Sequence, residues 1–219
     1  MTGATGATGP VAPCFAAGTR IATPQGERRV ETLQPGDEVL TADGAVEAVR
    51  WVGRRRLARL DAHPAPQTVQ PVCIAAGAFG PGAPHRDLVL SPGHAVFVEG
   101  CLIPAARLIN GRTVVQLHWT QVEYFHVELR RHDVLLAEGL AVESYLDCDN
   151  RGDFENGGAT LTLHPRFAAL AHEAACAPLT VCGPVVERVR RRLARRAAAL
   201  AATAGLGRLR AAGLGRRRD

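Results

Sequence analysis

Three residue types in this sequence, a cysteine, a serine and a histidine, stand where together they can rearrange a peptide bond. Cys14 follows a run of Thr, Gly, Ala and Pro and opens Cys14-Phe15-Ala16-Ala17-Gly18-Thr19-Arg20-Ile21, after which the sequence reads as β structure. A thiol at the first position of a folded domain has its own upstream bond, Pro13–Cys14, within reach. Through a five-membered ring it can attack the Pro13 carbonyl and convert the amide to a thioester. Holding both groups in one chain makes the step unimolecular, an advantage of up to about 7–11 kcal/mol. At an ordinary pKa of about 8.5 the thiol is a few per cent thiolate at neutral pH, so it needs help. The departing amine must also be protonated, which requires a general acid. Ser91-Pro92-Gly93-His94 interrupts two apolar runs and brings a hydroxyl and an imidazole side by side. The plainer readings stay open: a buried cysteine that starts a strand, and a core histidine bonded to a carbonyl.

The elements that must position these groups are short. Leu33-Gln34-Pro35-Gly36-Asp37-Glu38-Val39-Leu40-Thr41-Ala42-Asp43-Gly44 places a Pro-Gly turn before a strand ending in Asp-Gly, a hairpin signal. Asp87-Leu88-Val89-Leu90 and Ala95-Val96-Phe97-Val98 flank the Ser-x-x-His turn. A further stretch runs Val122-Glu123-Tyr124-Phe125-His126-Val127-Glu128, then Arg131-His132-Asp133-Val134-Leu135-Leu136-Ala137-Glu138-Gly139. Runs at Thr19–Thr23, Val39–Thr41, Val46–Val52, Leu88–Leu90, Ala95–Val98 and Thr113–His118, bounded by turns, predict an all-β domain.

These four stretches, in this order, resemble a Hint domain, the self-processing module shared by hedgehog C-terminal regions and inteins. Specifically, they are similar to the bacterial group whose members begin Cys-Phe-x-x-Gly-Thr-x-Ile. The resemblance spans Cys14 to Leu146 and implies a mainly β fold, a horseshoe of curved strands with pseudo-twofold symmetry and Cys14 near its centre. It implies that His94 lies against the scissile amide nitrogen and protonates it, with Ser91, in place of the family's Thr, orienting the bond. It brings the strand carrying His126 and His132 past the nucleophile. His132, followed by Asp133, then serves as a base for Cys14 or for water attacking the thioester. His126 alternates with Tyr124 and Glu128, which leaves a solvent-exposed face as its alternative.

Departures from the family narrow the expected chemistry. Inteins end in His-Asn, whose Asn cyclises to free the downstream segment. Here Glu143-Ser144 follows Ala141-Val142, and neither residue can cyclise in that way, so full splicing is not expected. Hedgehog modules use an extra Asp to pass the thioester to a sterol, and Val49–Arg56 is basic with no such residue. What remains is an N–S acyl shift at Pro13–Cys14 and release by water, a small thiol or an amine. The chain's own N-terminal segment is then the substrate in cis. The prolyl donor carbonyl is hindered and conformationally fixed, which predicts slow attack.

Four zones follow along the chain: a flexible leader (1–13), the Hint-like domain (14–146), a polar linker (147–160) and a helical, Arg-rich tail (161–219). A short helix is expected over His164–Ala177, closed by Pro178, and a second from Pro184, well suited to a first helical turn. In the second, Val186, Val189, Leu193 and Ala197 form one apolar stripe with Arg around the rest. Such a helix either docks on the domain or binds nucleic acid or an anionic surface. The latter, on a non-catalytic scaffold, is the alternative function.

Composition agrees with that division. All 26 basic residues are Arg; from Pro184 to Asp219 eleven of them face Glu187 and Asp219, a net of +9, against −4 for the remainder (fifteen Arg, nineteen acids). The basic character belongs to the tail. No run is long and apolar enough to span a membrane, and no signal-peptide pattern is present. The cytoplasm is the default location, with export by another route left open. Six cysteines without a close pair give no zinc spacing, so the sequence implies no metal or cofactor, and free thiols suit a reducing compartment.

Overall fold

The computed structural model describes residues 13–146, 151–157 and 175–213. The leader other than Pro13, the ends of the expected linker, most of the helix expected over His164–Ala177 and the last six residues lie outside this range.

Short alternating runs separated by turns cannot bury an apolar face alone, and here they assemble into antiparallel sheets. In chain order the strands are β1 (Phe15–Ala16), β2 (Arg20–Thr23), β3 (Gly26–Arg29), β4 (Glu38–Leu40), β5 (Val46–Ala48), β6 (Trp51–Ala58) and β7 (Val72–Ile74). They continue with β8 (Leu88–Leu90), β9 (Ala95–Val98), β10 (Cys101–Pro104), β11 (Val114–Gln116), β12 (Gln121–Glu128), β13 (Val134–Ala137) and β14 (Leu140–Glu143). Among the described residues one α-helix, α1 (Pro184–Gly213), follows. One sheet has the order β11-β7-β8-β1-β12-β6, a second β10-β9-β14-β13-β2-β3, and β4 pairs with β5 alone.

The β4–β5 hairpin turns where Asp43-Gly44 predicts it. Gly44 has φ +88°, a conformation that favours glycine, and Asp43 accepts the Thr41 hydroxyl and the Ala45 amide. The run expected as one strand over Val46–Val52 is two. Val49 and Arg50 leave the sheet between β5 and β6, with Val49 bonded back to Asp37 and Arg50 to Glu128. β6 then continues through Arg54-Arg55-Arg56, which the charge run conceals, and all eight of its residues pair with β12, from Trp51↔Glu128 to Ala58↔Gln121.

Where it is described, the segment expected as a solvated linker is docked instead. Residues 151–157 cover the open edge of β6: Glu155 N–H donates to Arg54 C=O at 2.8 Å, and Arg54 N–H donates to Asn156 Oδ1 at 2.9 Å. Arg56 N–H donates to Glu155 Oε1 at 2.9 Å, and Phe154 is buried beneath. An unpaired strand edge presents free amides and carbonyls, and this polar segment satisfies them. Residues 175–177, the described end of the first expected helix, form no helix. There the chain runs beside β10, with Leu102 N–H donating to Pro178 C=O at 2.9 Å and Thr180 N–H to Leu102 C=O at 2.8 Å.

The helix α1 begins at Pro184 as expected. Val186, Val189 and Leu193 join the main hydrophobic core, and Ala197 is also buried. Three of its arginines serve that docking: Arg188 and Arg192 bind Glu99 at 3.1 and 3.2 Å, and Arg196 Nε donates to Gly77 C=O at 3.0 Å. Among the described residues no helix is long and apolar enough to cross a membrane.

Candidate active site

β1 lies in the middle of its sheet, and Phe15 is opposite Leu90 on β8 and Phe125 on β12. One residue back in the same antiparallel register, Cys14 faces Ser91. The Ser91 carbonyl is taken by the turn, accepting His94 N–H at 3.1 Å. The Cys14 N–H, which belongs to the Pro13–Cys14 bond, therefore donates to Ser91 Oγ at 2.8 Å, while Ser91 N–H donates to Cys14 C=O at 2.9 Å. Both residues are fully buried. Strand pairing on both sides of Phe15 thus fixes the thiol and its upstream bond.

The Ser-Pro-Gly-His turn returns the chain beneath that bond. Its imidazole packs on Phe15, with ring centroids 4.4 Å apart, and lies against the Cys14 backbone. His94 Nε2 donates to Glu143 C=O at 3.1 Å, which assigns the proton of the neutral ring to Nε2. Nδ1 is buried without a hydrogen-bond partner. Burial holds the His94 pKa below its usual value, partly opposed by the Glu143 charge and by backbone groups of Cys14 and Glu143. The resting ring is therefore neutral, with an unprotonated nitrogen able to accept a proton.

His126 does not occupy the exposed face left open by its alternation with Tyr124 and Glu128; it is buried. Its ring stands edge-on to His94 at 5.0 Å and to Tyr145 at 5.3 Å, completing a file of rings from Phe15 inward. Burial, reinforced by His94 and His132, holds its pKa well below the usual value, so it too is neutral. His132 titrates in the opposite direction. Burial acts to lower it, but the Cys176 side chain and Glu143 together outweigh that and raise it to about 9. Its Nε2 lies 3.7 Å from Glu143 Oε2. Its Nδ1 accepts Cys176 N–H at 3.1 Å while the ring is neutral, and protonation gives up that bond for the pull of the Cys176 side chain and Glu143. A cavity of about 540 Å³, lined by His132, Tyr145 and Cys176 among others, gives this side of the site access to solvent.

Asp133 is not aimed into this cluster. Its carboxylate accepts the adjacent Val134 N–H at 2.7 Å, and its own amide donates to Ser144 Oγ at 2.9 Å, so it shapes the start of β13. The structure thus brings together Cys14, Ser91, His94 and His126, sets His132 behind Glu143, and leaves Asp133 in a turn.

Glu143 is the residue sequence reasoning passed over, weighed there as a splicing residue and found unable to cyclise. It is nearly fully buried; its carbonyl accepts from His94, and its carboxylate accepts Ala95 N–H at 2.7 Å and faces His132. One acidic residue thereby touches the surroundings of both imidazoles. No pattern in the sequence marks it: it ends an apolar strand, where a charge ordinarily points outward.

A mainly antiparallel β domain thus holds a thiol and its own upstream peptide bond at the centre of a sheet. The chain belongs to the Hint domain family, whose model matches residues 13–149. Domains of this family act in cis on their own chain. Among solved structures the chain is similar to a bacterial intein-like domain from Clostridium thermocellum, at 14% identity and a TM-score of 0.46, covering 62% of this chain and 99% of that one. It is also similar to the MchDnaB-1 intein, at 18% identity and a TM-score of 0.44, covering 60% and 99%. A DnaB intein from Synechocystis sp. PCC 6803 matches at 10% identity and a TM-score of 0.43, covering 61% and 99%. A search of curated proteins gives no match.

Proposed function

We propose that the domain cleaves its own chain at Pro13–Cys14 through an N–S acyl shift. The observation that carries this reading is the hydrogen bond from Cys14 N–H to Ser91 Oγ, with the His94 ring packed on Phe15 and against the Cys14 backbone. Cys14 Sγ attacks the Pro13 carbonyl, and His94 Nδ1 takes the thiol proton. The tetrahedral intermediate then collapses with its C–N bond breaking. His94, now an imidazolium in a buried site that disfavours its charge, returns the proton to the Cys14 nitrogen as it leaves. Glu143 lowers the cost of that transient charge through its carbonyl and carboxylate. The Pro13 thioester is next attacked by water, a thiol or an amine, releasing the upstream segment from a chain beginning at Cys14. Glu143-Ser144 offers no amide side chain for cyclisation, so the reaction stops at N-terminal cleavage.

The test is intact-mass analysis of a carrier protein fused ahead of Met1, incubated with and without a small thiol. The expected result is loss of carrier plus leader, faster with thiol and absent in Cys14→Ala and His94→Ala. An unchanged mass over days, or thiol-independent cleavage that survives Cys14→Ala, contradicts the proposal.

A further inference from the structure

Three chain segments meet at Glu27 on β3, His85 in the loop before β8, and Glu138 in the β13–β14 turn. One ligand atom from each of the three lies within 4.8 Å of the others. His85 Nε2 is 3.2 Å from Glu27 Oε2 and 3.4 Å from Glu138 Oε2. Both distances match the edge of a tetrahedron built on zinc–ligand bonds of about 2.0–2.1 Å, which is about 3.3–3.4 Å.

His85 and Glu138 are fixed by the backbone around them. His85 N–H donates to Glu138 C=O at 2.9 Å, and Glu138 N–H to Arg20 C=O at 2.9 Å. Glu138 is nearly fully buried, and its Oε1 accepts Arg20 N–H at 2.8 Å and Arg86 Nη2 at 2.9 Å, while Oε2 accepts Arg86 Nε at 3.0 Å. A carboxylate has about four lone-pair sites; three are used, and the fourth is on Oε2, the oxygen nearest His85. Glu138 also adopts φ +50°, where a turn of this kind favours Asn, Asp or Gly, so its side chain is retained for what it binds. Gly139 follows at φ +76°, and a Cβ there would lie 2.8 Å from His85 Nδ1, so the imidazole rests directly on the turn.

The charges are unbalanced. Arg86 is bound to Glu138 and acts on Glu27 only through space, so that among the described residues the ion pair Glu27 makes is with His85. A neutral imidazole can offer one N–H to two carboxylate oxygens, and one of those bonds is then weak. A divalent cation facing the imidazole lone pair satisfies all three groups. An imidazole with two carboxylates suits zinc and its neighbours rather than calcium or magnesium, which select oxygen alone.

We infer that Glu27, His85 and Glu138 form a binding site for a divalent transition cation of the zinc class, clamping the β2–β3 hairpin, the β13–β14 turn and the loop before β8 together. The experiment is calorimetric titration of the full chain with Zn²⁺, together with zinc-edge X-ray absorption of the loaded protein. The result expected is one equivalent bound through N/O ligands at about 2.0–2.1 Å, without sulfur at about 2.3 Å. Glu27→Gln and His85→Gln, both partly exposed positions, should each weaken binding by at least about tenfold, the loss typical even of an outer partner. The circular dichroism of both variants should match that of the parent. No uptake, a sulfur shell, or binding indifferent to both variants overturns the assignment. The first of these would leave His85 as a hydrogen-bonded link between two acids.

Discussion

Cys14 and Ser91 face each other as one rung beyond the β1–β8 pairing, joined by two hydrogen bonds, one from each backbone amide. The rung makes Ser91 Oγ, not a backbone carbonyl, the acceptor for the N–H of the Pro13–Cys14 bond. The plane of that peptide is thus set by a side chain, at a position where sheet geometry alone would have used the main chain.

Ser91→Ala should therefore cost stability and rate together. It leaves the buried Cys14 N–H without this acceptor, a loss of about 1–3 kcal/mol. Ser91→Thr keeps the oxygen and should recover most of both. Urea midpoints and cleavage rates measured on the same three proteins check this. A Ser91→Ala variant that cleaves as fast as the parent would show that the bond does not depend on the hydroxyl for its orientation.

The three imidazoles predict opposite effects of pH on stability. His94 and His126 have folded pKa values depressed by burial, so the unfolded chain binds more protons as pH falls below about 6.5. Stability is lost progressively on acidification from there toward the folded pKa values. His132 is raised to about 9, so its contribution is fully present below about 6.5 and fades as pH rises through about 9. Denaturation midpoints across this range should peak between the two limbs. His126→Phe, which keeps a ring beside Tyr145, should flatten the acid limb and leave the alkaline one. An unchanged acid limb in that variant would assign the loss to other groups.

Glu143 raises both His94 and His132, so Glu143→Gln should lower both. The amide oxygen can still accept the Ala95 N–H, and the backbone carbonyl still accepts from His94. NMR titration should show His132 falling from about 9, and the acid limb of cleavage should move to lower pH. A His132 titration identical in both proteins would leave the Cys176 side chain as the group that raises it.

The meeting of Cys14, Ser91 and His94 was legible in the sequence because these residues lie in short local motifs. Cys14 at a domain start, Ser91 three residues before His94, and the Asp43-Gly44 turn each carry their geometry within a few residues. The apolar stripe of α1 was legible for the same reason: its period is local, and its docking on the core follows from it. Glu143 was not, because its role arises from sheet pairing, which sets Val142 opposite Val96 and its neighbour beside Ala95. The buried side of His126 was hidden because the rings of His94 and Tyr145, brought in from distant parts of the chain, cover a sheet face that alternation alone leaves open to solvent. The charge run Arg54-Arg55-Arg56 concealed β6 itself.

Gly53 gives that covering a direct test. It sits on β6 opposite His126, and a Cβ there would lie 2.4 Å from the Trp51 ring and 2.7 Å from Phe154. Trp51 and Phe154 meet edge-on at 5.1 Å over this glycine, and Trp51 also meets Tyr145 at 5.3 Å, whose ring continues to His126. Gly53→Ala must displace one of the two aromatics, an overpacking cost of about 1–3 kcal/mol. Each kcal/mol should lower Tm by about 2–4 °C at this size. The displacement should loosen residues 151–157 before the β6–β12 pairing. Amide exchange should therefore accelerate at Arg54 and Arg56, which donate to Asn156 Oδ1 and Glu155 Oε1, and change less at the β12 amides bonded to β6. Uniform acceleration through both strands would mean that the cover and the sheet open as one unit. An unchanged Tm with unchanged exchange would mean that the Trp51 ring swings aside freely and that the edge is held by its hydrogen bonds alone.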